Sequence, residues 1–196
     1  IEWADGILGD ISIDAASVSD PVLIRQDGQV LYTLASVVDD TDMGVTHVVR
    51  GADHVTNTGA QIQIFRALEA GAPAFAHHSL LTDAQGGALS KRLGTLALKD
   101  LSEAGVEADA LVAFMARLGA SLPVEVITDR AALIDSFDIG QFGMTPTRFD
   151  VEELHLHSAK TLRALPAESV ADRLIGAGVP AGMTHAFWAA IGPNLD

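Results

Sequence analysis

The sequence contains no cysteine among its 196 residues. Disulfide bonds are therefore excluded, together with every zinc site that uses cysteine ligands. A chain without cysteine also fits the cytoplasm, and we expect that location. Because 48% of the residues are hydrophobic, the chain can bury the core of one domain or of two small ones.

Long apolar runs are absent as well. No segment approaches the roughly 20 uninterrupted apolar residues that a membrane-spanning helix needs. We therefore expect no membrane partner. The chain starts at Ile1 without a methionine and without the apolar stretch that marks a signal peptide.

Basic residues are also scarce. Twelve Lys and Arg stand against 26 Asp and Glu, which gives a formal net charge of -14. Such a balance repels nucleic acid and excludes a general nucleic-acid-binding surface. A local basic face can still dock RNA, and the cations are grouped as Lys91 with Arg92 and Lys160 with Arg163.

One segment that follows a pair of glycines carries two adjacent cations. Residues 83–87 read Asp-Ala-Gln-Gly-Gly, which is typical of a turn, and Ser90, Lys91 and Arg92 follow closely. A lysine offers a compact charge and an arginine a planar fork of donors, a combination that binds polyphosphates. Taken alone, the triplet is typical of an ordinary solvated surface run.

Up to about Leu98 the chain alternates strand-like and helix-like runs. Arg50 follows an apolar, β-branched run, so it should lie at the carboxyl end of a buried strand, where open α/β sheets bind ligands. The predicted elements are a hairpin around Asp27-Gly28, a helix over 33–40 with Leu34, Val37 and Val38 on one face, a strand over 45–49, a helix capped by Asn57 or Thr58 and stopped by Gly71 and Pro73, and a strand over 77–81.

From about Lys99 onward the pattern is almost wholly helical. Asp150 and Glu153 resemble a capping box that starts a helix running to Leu165, where Pro166 should end it. The other predicted helices are one between an Asp109 cap and Gly119, with Leu111, Phe114, Met115 and Leu118 on one face, and two amphipathic stretches over 170–175 and 184–191.

Four separated segments, in the same order, resemble the class I glutamyl-tRNA synthetases of bacterial type. They read LIRQDG at 23–28, LYTLASVVDD at 31–40, MGVTHVVRGADH at 43–54 and LSKRLG at 89–94. The resemblance implies an α/β region followed by a mainly helical one. It assigns the C-terminal half of a Rossmann-type catalytic domain to 1–98, a helical stem-contact domain to 99–165 and the start of a helical anticodon-binding region to 166–196.

The first signature of class I synthetases, written HIGH, has no counterpart here. The seven histidines lie at 47, 54, 77, 78, 155, 157 and 185, and none belongs to a His-x-Gly-His run. Together with the start at Ile1, this absence leads us to expect a fragment that lacks the half of the catalytic domain carrying that signature.

The resemblance implies an ATP site. Leu-Ser-Lys-Arg is similar to the family's second signature, so Leu89, Ser90, Lys91 and Arg92 are expected to bind ATP, with Lys91 as the catalytic residue on the phosphates. Mg²⁺ would accompany ATP. Asp53 matches an acidic position near the ribose, although a helix-start carboxylate explains it equally well. The family's lysine before this signature is Ala88 here, which removes one charge.

The resemblance also implies a glutamate site formed by Tyr32, Ser36 and Arg50. A guanidinium can hold a carboxylate through two parallel hydrogen bonds, and the alternative is an ion pair with a nearby aspartate, namely Asp39, Asp40 or Asp53. Tyr32 matches a tyrosine whose hydroxyl contacts glutamate, against the alternative of half-buried packing. Ser36 stands where many relatives carry an asparagine.

We predict no metal site and no zinc. His77 and His78 are neighbours on a predicted strand and point to opposite faces, so packing is favoured over metal binding. His155 and His157 do not share a helix face. The acidic run Asp39-Asp40-Thr41-Asp42 lacks the spacing and the closing glutamate of a calcium loop.

For the intact protein, the resemblance implies ATP-dependent activation of glutamate as glutamyl-adenylate and its transfer to the 3′ end of tRNA(Glu). We expect the fragment alone to be inactive, and its oligomeric state stays open. The alternative is a non-catalytic module that binds nucleotide, tRNA or a protein partner on the same scaffold. A shortened relative that glutamylates a modified tRNA base is a variant of the enzyme, disfavoured because the resemblance continues through residues 142–150.

Overall fold

The computed structural model describes residues 1–83, 86–87 and 97–195. These form two compact units, the first made of Ile1–Leu80 and Ile139–Thr147 and the second of Leu81–Asp138 and Arg148–Asp196. The three domain roles assigned from the resemblance stay a prediction. Ala88, Leu89, Ser90, Lys91 and Arg92 lie outside the described residues.

The first unit is built on a four-stranded, mostly parallel sheet. Its strands are β1 (Glu2–Asp5), β2 (Gly9–Ser12), β3 (His47–Gly51) and β4 (Ala74–His78), in the spatial order β2-β1-β4-β3. β4 pairs in parallel with both β1 and β3, whereas β2 pairs antiparallel with β1. The predicted α/β class of this region is therefore confirmed.

Two helices belong to this unit, α1 (Tyr32–Asp42) and α2 (Val55–Ala67). They bring buried apolar side chains against the sheet residue Phe75. The core consists of Val37, Ile62, Phe65 and Phe75. Of the face predicted for α1, Val37 is buried, but Val38 is exposed.

The predicted hairpin around Asp27-Gly28 is present in a short form, in which the Arg25 N–H donates to the Gln29 carbonyl and the Leu31 N–H to the Leu23 carbonyl. Gly28 adopts a φ of 87°, and a single bridge joins Ile24 to Val30. Tyr32 does not extend this hairpin, because it is the first residue of α1. Both bridge residues are exposed, and an unsupported two-stranded hairpin gains little stability in water.

The strand predicted over 45–49 begins two residues later, so Arg50 lies inside β3 rather than after it. The reason is the end of α1, where Gly44 has a φ of 64° and the Val45 N–H donates to the Asp40 carbonyl. β3 is also an edge strand, and Val49 is 56% exposed. The prediction of a buried strand was therefore wrong.

The next two elements also begin earlier than predicted. A 3-10 turn over Ala52–His54 leads directly into α2, and His54 takes the cap position. Thr58 therefore lies inside the helix and is fully buried. The strand expected over 77–81 is observed as β4, which ends at His78.

The second unit is mainly helical, as predicted. Its helices are α3 (Leu98–Glu103), α4 (Ala108–Arg117), α5 (Arg130–Asp135), α6 (Val151–Ala164), α7 (Ala167–Gly176) and α8 (Thr184–Ile191). The chain also forms two short strands, β5 (Leu81–Thr82) and β6 (Thr147–Arg148). The core of this unit consists of Leu101, Phe114, Phe149 and Leu154.

The caps of this unit were predicted with mixed success. Asp150 caps α6 by accepting the N–H groups of Glu152 and Glu153, as expected. The cap of α4 is Glu107 rather than Asp109, which instead pairs with Arg130. Over the described ranges, no helix combines the length and apolar character needed to cross a bilayer.

Candidate functional site

The guanidinium of Arg50 is the centre of a polar cluster in the first unit. Nη1 donates to the Tyr32 hydroxyl at 3.0 Å, and Nη2 donates to Thr58 Oγ1 at 2.5 Å and to Gln61 Oε1 at 2.6 Å. Nε faces His77 Nε2 at 3.4 Å. Four of the five guanidinium N–H groups are therefore engaged.

Four separate elements bring these side chains together. Arg50 on β3 is in register with His77 on the neighbouring parallel strand β4. Thr58 and Gln61 are three residues apart on α2, which places them on one helix face, and both are buried. Tyr32 begins α1 and is about half exposed. The cluster is thus open to solvent on the tyrosine side.

None of these partners of Arg50 carries a negative charge. Within 1–83, 86–87 and 97–195, no carboxylate oxygen lies within 4.0 Å of its guanidinium. The alternative ion pair with Asp39, Asp40 or Asp53 is therefore not formed. A half-buried cation surrounded by neutral oxygens is suited to bind an anion.

Ser36 reaches the cluster indirectly. The Gln61 side-chain amide donates to Ser36 Oγ at 2.7 Å, while its carbonyl oxygen accepts from Arg50. The structure thus groups Tyr32, Ser36 and Arg50, the three residues expected to bind glutamate. Their role as ligands stays a prediction.

Two residues of the cluster, Asp5 and His77, were not predicted as site residues. His77 Nδ1 lies 2.5 Å from Asp5 Oδ2, and both side chains are fully buried. His77 does pack, as predicted, between the rings of Trp3 and Phe75, and the adjacent His78 is exposed. The strand alternation predicted that His77 and His78 face opposite sides, and no sequence signal links His77 to Asp5.

The Asp5 carboxylate accepts an unusual number of hydrogen bonds. Oδ1 accepts the backbone N–H groups of Ile7, Leu8 and His77, and Oδ2 accepts from the His77 ring and from Trp3 Nε1. Burial raises the pKa of this carboxyl, but these hydrogen bonds outweigh it and lower the pKa to about 2. Asp5 is therefore a buried anion at neutral pH.

Asp53 lies in the 3-10 turn before α2, apart from the partners of Arg50. Its carboxylate is exposed and approaches His54 at 3.7 Å. A Cβ atom on Gly51 would come within 2.5 Å of Asp53 Oδ1, so glycine leaves room for this carboxylate near the end of β3. Its expected contact with a ribose stays a prediction.

The second half of the expected site cannot be placed beside the first. Leu89, Ser90, Lys91 and Arg92, the expected ATP ligands, fall outside the described part of the chain. The expected convergence of Lys91 and Arg50 on one cleft therefore stays a prediction. No group of three or more His, Asp or Glu that could hold a metal occurs among the described residues.

Comparison with known sequences identifies close relatives. The family described as tRNA synthetases class I (E and Q), catalytic domain, matches residues 1–156. The chain is 67% identical to glutamate–tRNA ligase 2 of Ruegeria sp. (strain TM1040) and 65% identical to glutamate–tRNA ligase 1 of Roseobacter denitrificans. Each match covers 100% of this chain but 44% of the relative, so the chain spans less than half their length.

Comparison with solved structures agrees on the fold. A glutamate tRNA ligase from Elizabethkingia meningosepticum, crystallised in complex with its amino acid, superposes with a TM-score of 0.76 at 24% identity. The match covers 98% of this chain and 43% of that structure. The family match and the fold agree: the chain belongs to the class I tRNA synthetases of the E and Q type, and its residues 1–156 match their catalytic domain.

Proposed function

We propose that the complete protein is a cytoplasmic glutamate–tRNA ligase, which activates glutamate with ATP and transfers it to the 3′ end of tRNA(Glu). The observation that carries this proposal is the guanidinium of Arg50, whose partners in the described part of the chain are all uncharged. The names of the relatives support the same reaction.

The donors left over around Arg50 suit a carboxylate. Arg50 Nη1 donates one N–H to the Tyr32 hydroxyl and has a second N–H left over. The Tyr32 hydroxyl accepts from Arg50, so its own proton remains available to donate. Two donors therefore lie side by side at the open edge of the cluster. A carboxylate can accept both, whereas the uncharged amide of glutamine would leave the positive charge uncompensated.

The remaining parts of the reaction are assigned from the resemblance. In activation, the α-carboxylate of glutamate attacks the α-phosphate of ATP, pyrophosphate leaves and glutamyl-adenylate forms. Lys91 would stabilise the charge that grows on the phosphoryl oxygens, helped by Ser90, Arg92 and the Leu89 backbone. Asp53 would contact the ribose.

Mg²⁺ would enter bound to ATP. The phosphate oxygens are its natural ligands, and no cluster of three potential metal ligands occurs among the described side chains. The ion would neutralise part of the triphosphate charge. The helical region would support tRNA, through stem contacts over 99–165 and the start of the anticodon-binding region over 166–196.

Glutamate-dependent exchange of ATP with pyrophosphate tests the glutamate site. In the complete protein, Arg50→Ala should reduce kcat/KM for glutamate by about a hundredfold or more, because the charge-assisted hydrogen bonds to the carboxylate are lost. Arg66→Ala removes an exposed arginine of α2 from the same unit and serves as the control. Unchanged exchange in Arg50→Ala would remove this residue from glutamate binding.

The same assay tests the ATP site and the need for the complete protein. Lys91→Ala should cut exchange strongly without unfolding the protein. We expect this chain alone to show no exchange, since losing the positioning of reactants can cost about 7 kcal/mol or more. A complete protein without any glutamate-dependent exchange would instead favour the non-catalytic binding module.

A further inference from the structure

Arg50 and the buried Asp5 carboxylate are joined by a chain of hydrogen bonds. Arg50 Nη2 donates to Thr58 Oγ1 at 2.5 Å, Thr58 Oγ1 lies 2.8 Å from His77 Nε2, and His77 Nδ1 lies 2.5 Å from Asp5 Oδ2. The two middle side chains are fully buried. The cation at one end is thus connected to the anion at the other through Thr58 and His77, and also through the longer 3.4 Å contact of Arg50 Nε with His77 Nε2.

The proton positions along this chain follow from the donors and acceptors. An ionised carboxylate only accepts, so the proton between Asp5 and His77 lies on Nδ1. A guanidinium only donates, so Nε2, which faces Arg50 Nε–H, is the acceptor and carries a lone pair. The Thr58 hydroxyl accepts from Arg50 and donates its single proton to Nε2, its nearer acceptor at 2.8 Å against 3.3 Å for the His54 carbonyl. Each donor in the chain therefore points toward Asp5.

We infer that Asp5, His77 and Thr58 are positioning residues, which make Asp5 a remote counter-charge for Arg50 and so hold the guanidinium ready for the carboxylate of glutamate. This inference rests on the proposed role of Arg50. A carboxylate bound directly to Arg50 would occupy the donors that the substrate needs. Placed beyond Thr58 and His77, the same charge stabilises Arg50 and leaves its Nη1 edge open.

The two oxygens of Asp5 divide two tasks. Oδ1 accepts the N–H groups of Ile7 and Leu8 and so fixes the turn between β1 and β2, which is a purely structural contribution. Oδ2 accepts from the His77 ring and faces the chain to Arg50. A substitution at Asp5 mixes both tasks, so the decisive change must be made at Thr58.

The matched pair Thr58→Val and Thr58→Ser isolates the hydroxyl in the complete protein. Valine keeps the size of the side chain but cannot accept from Arg50 or donate to His77, so KM for glutamate should rise about tenfold while KM for ATP changes little. Serine should keep KM for glutamate much closer to that of the unchanged protein. His78→Gln, at the exposed neighbour of His77, should leave both constants unchanged.

The ¹⁵N chemical shifts of the His77 ring give a second readout that does not need activity. At neutral pH, the inference requires a protonated Nδ1 and an unprotonated Nε2, with the signal assigned by its disappearance in His77→Gln. Asp5→Asn offers an amide donor to Nδ1 and should shift the proton to Nε2, where it faces Arg50. KM for glutamate should then rise as well.

Two results would overturn the inference while leaving the proposed function intact. One is a KM for glutamate in Thr58→Val equal to that of Thr58→Ser. The other is a His77 protonated on Nε2 in an active, unchanged protein. A different result would overturn the proposed function. In that case His77 has the required tautomer, but ATP/pyrophosphate exchange in the complete protein does not depend on glutamate and is unchanged in Arg50→Ala.

Discussion

Each of the two units has one buried histidine, and the two differ in the hydrogen-bond partners of their ring nitrogens. His77 in the first unit is fully buried and makes hydrogen bonds with both ring nitrogens. His157 in the second unit is 5% exposed and packs beside Phe114, but its Nε2 finds no hydrogen-bond partner among the residues that the structure describes. Burial of a polar ring therefore says little by itself, and the partners decide whether it serves a site.

Arginines show the same contrast. Arg117 in the second unit is buried and donates to the backbone carbonyl and the hydroxyl of Ser136, at the end of α5. A helix C-terminus carries partial negative charge, so this guanidinium is already compensated. Among the described residues Arg50 has no such partner, and it is connected to Asp5 only through His77 and Thr58. Arg117 is thus held inside its unit, whereas the Tyr32 side of the Arg50 cluster is open to solvent.

The largest losses of stability should come from substitutions in the hydrophobic cores of the two units. Phe65→Ala and Phe114→Ala each remove a fully buried ring, which costs about 3 to 5 kcal/mol. Amide hydrogen exchange should accelerate mainly in β3, β4 and α2 for Phe65→Ala, and mainly in α4 and α6 for Phe114→Ala. Equal acceleration across both units in both variants would show that they unfold together.

A smaller effect concerns the acid stability of the first unit. The pKa of Asp5 falls to about 2 in the folded state, because the hydrogen bonds to its carboxylate outweigh the opposing effect of burial. A depressed carboxyl pKa stabilises the fold above the unfolded value near 4, and this contribution of about 2 kcal/mol is lost as the pH falls toward 2. Urea unfolding at several pH values measures it.

Asp5→Asn is the matched variant for that measurement. The asparagine does not titrate, so the free energy of unfolding of this variant should lack the contribution that Asp5 loses in acid. The difference in unfolding free energy between the variant and the unchanged protein should therefore shrink as the pH drops from about 4 to about 2. A constant difference over this range would show that the carboxylate does not titrate with folding.

The buried ring of His157 should make the stability of the second unit sensitive to mild acid. Burial lowers its pKa, Lys160 adds to the shift and Glu153 opposes it. A histidine with a depressed pKa keeps the fold stable above its unfolded value near 6.5 and destabilises it as the pH falls below that value. Acidification from pH 7 to 5 should therefore weaken the second unit.

His157→Met tests this directly. The variant removes an unpaired buried nitrogen, so it should stabilise the second unit by about 1 to 2 kcal/mol and abolish its loss of stability between pH 7 and 5. His155→Met, two residues earlier on α6, is the control. A destabilised variant with unchanged pH dependence would mean that the nitrogen has a partner in solution.

Local patterns predicted much of this fold but not its register. The helical spacing of α4 and the acidic start of α6 were read correctly. The start of β3 was misplaced because the backbone of residues 43–45 completes the end of α1, and a β-branched run does not reveal that use. The six-residue α5 was missed, since so short a helix shows no clear periodicity.

The candidate site divides in the same way. Tyr32, Ser36 and Arg50 were found through resemblance to a family, and their grouping agrees with that expectation. Asp5 and His77 are 72 residues apart, and only the pairing of β1 with β4 brings them together. A contact of that kind has no local signature, so chemistry that depends on it emerges only from the folded chain.

The smallest effect is expected at a helix cap in the second unit. Asp150 Oδ1 accepts the N–H groups of Glu152 and Glu153, at 2.9 and 3.4 Å, at the start of α6. Asp150→Ala should cost about 1 kcal/mol, whereas Asp150→Asn keeps an acceptor oxygen and should cost less. Thermal unfolding at neutral pH measures the difference. If alanine and asparagine were equivalent, the side-chain oxygen would contribute nothing to α6, and the second unit would depend on apolar packing alone at this end.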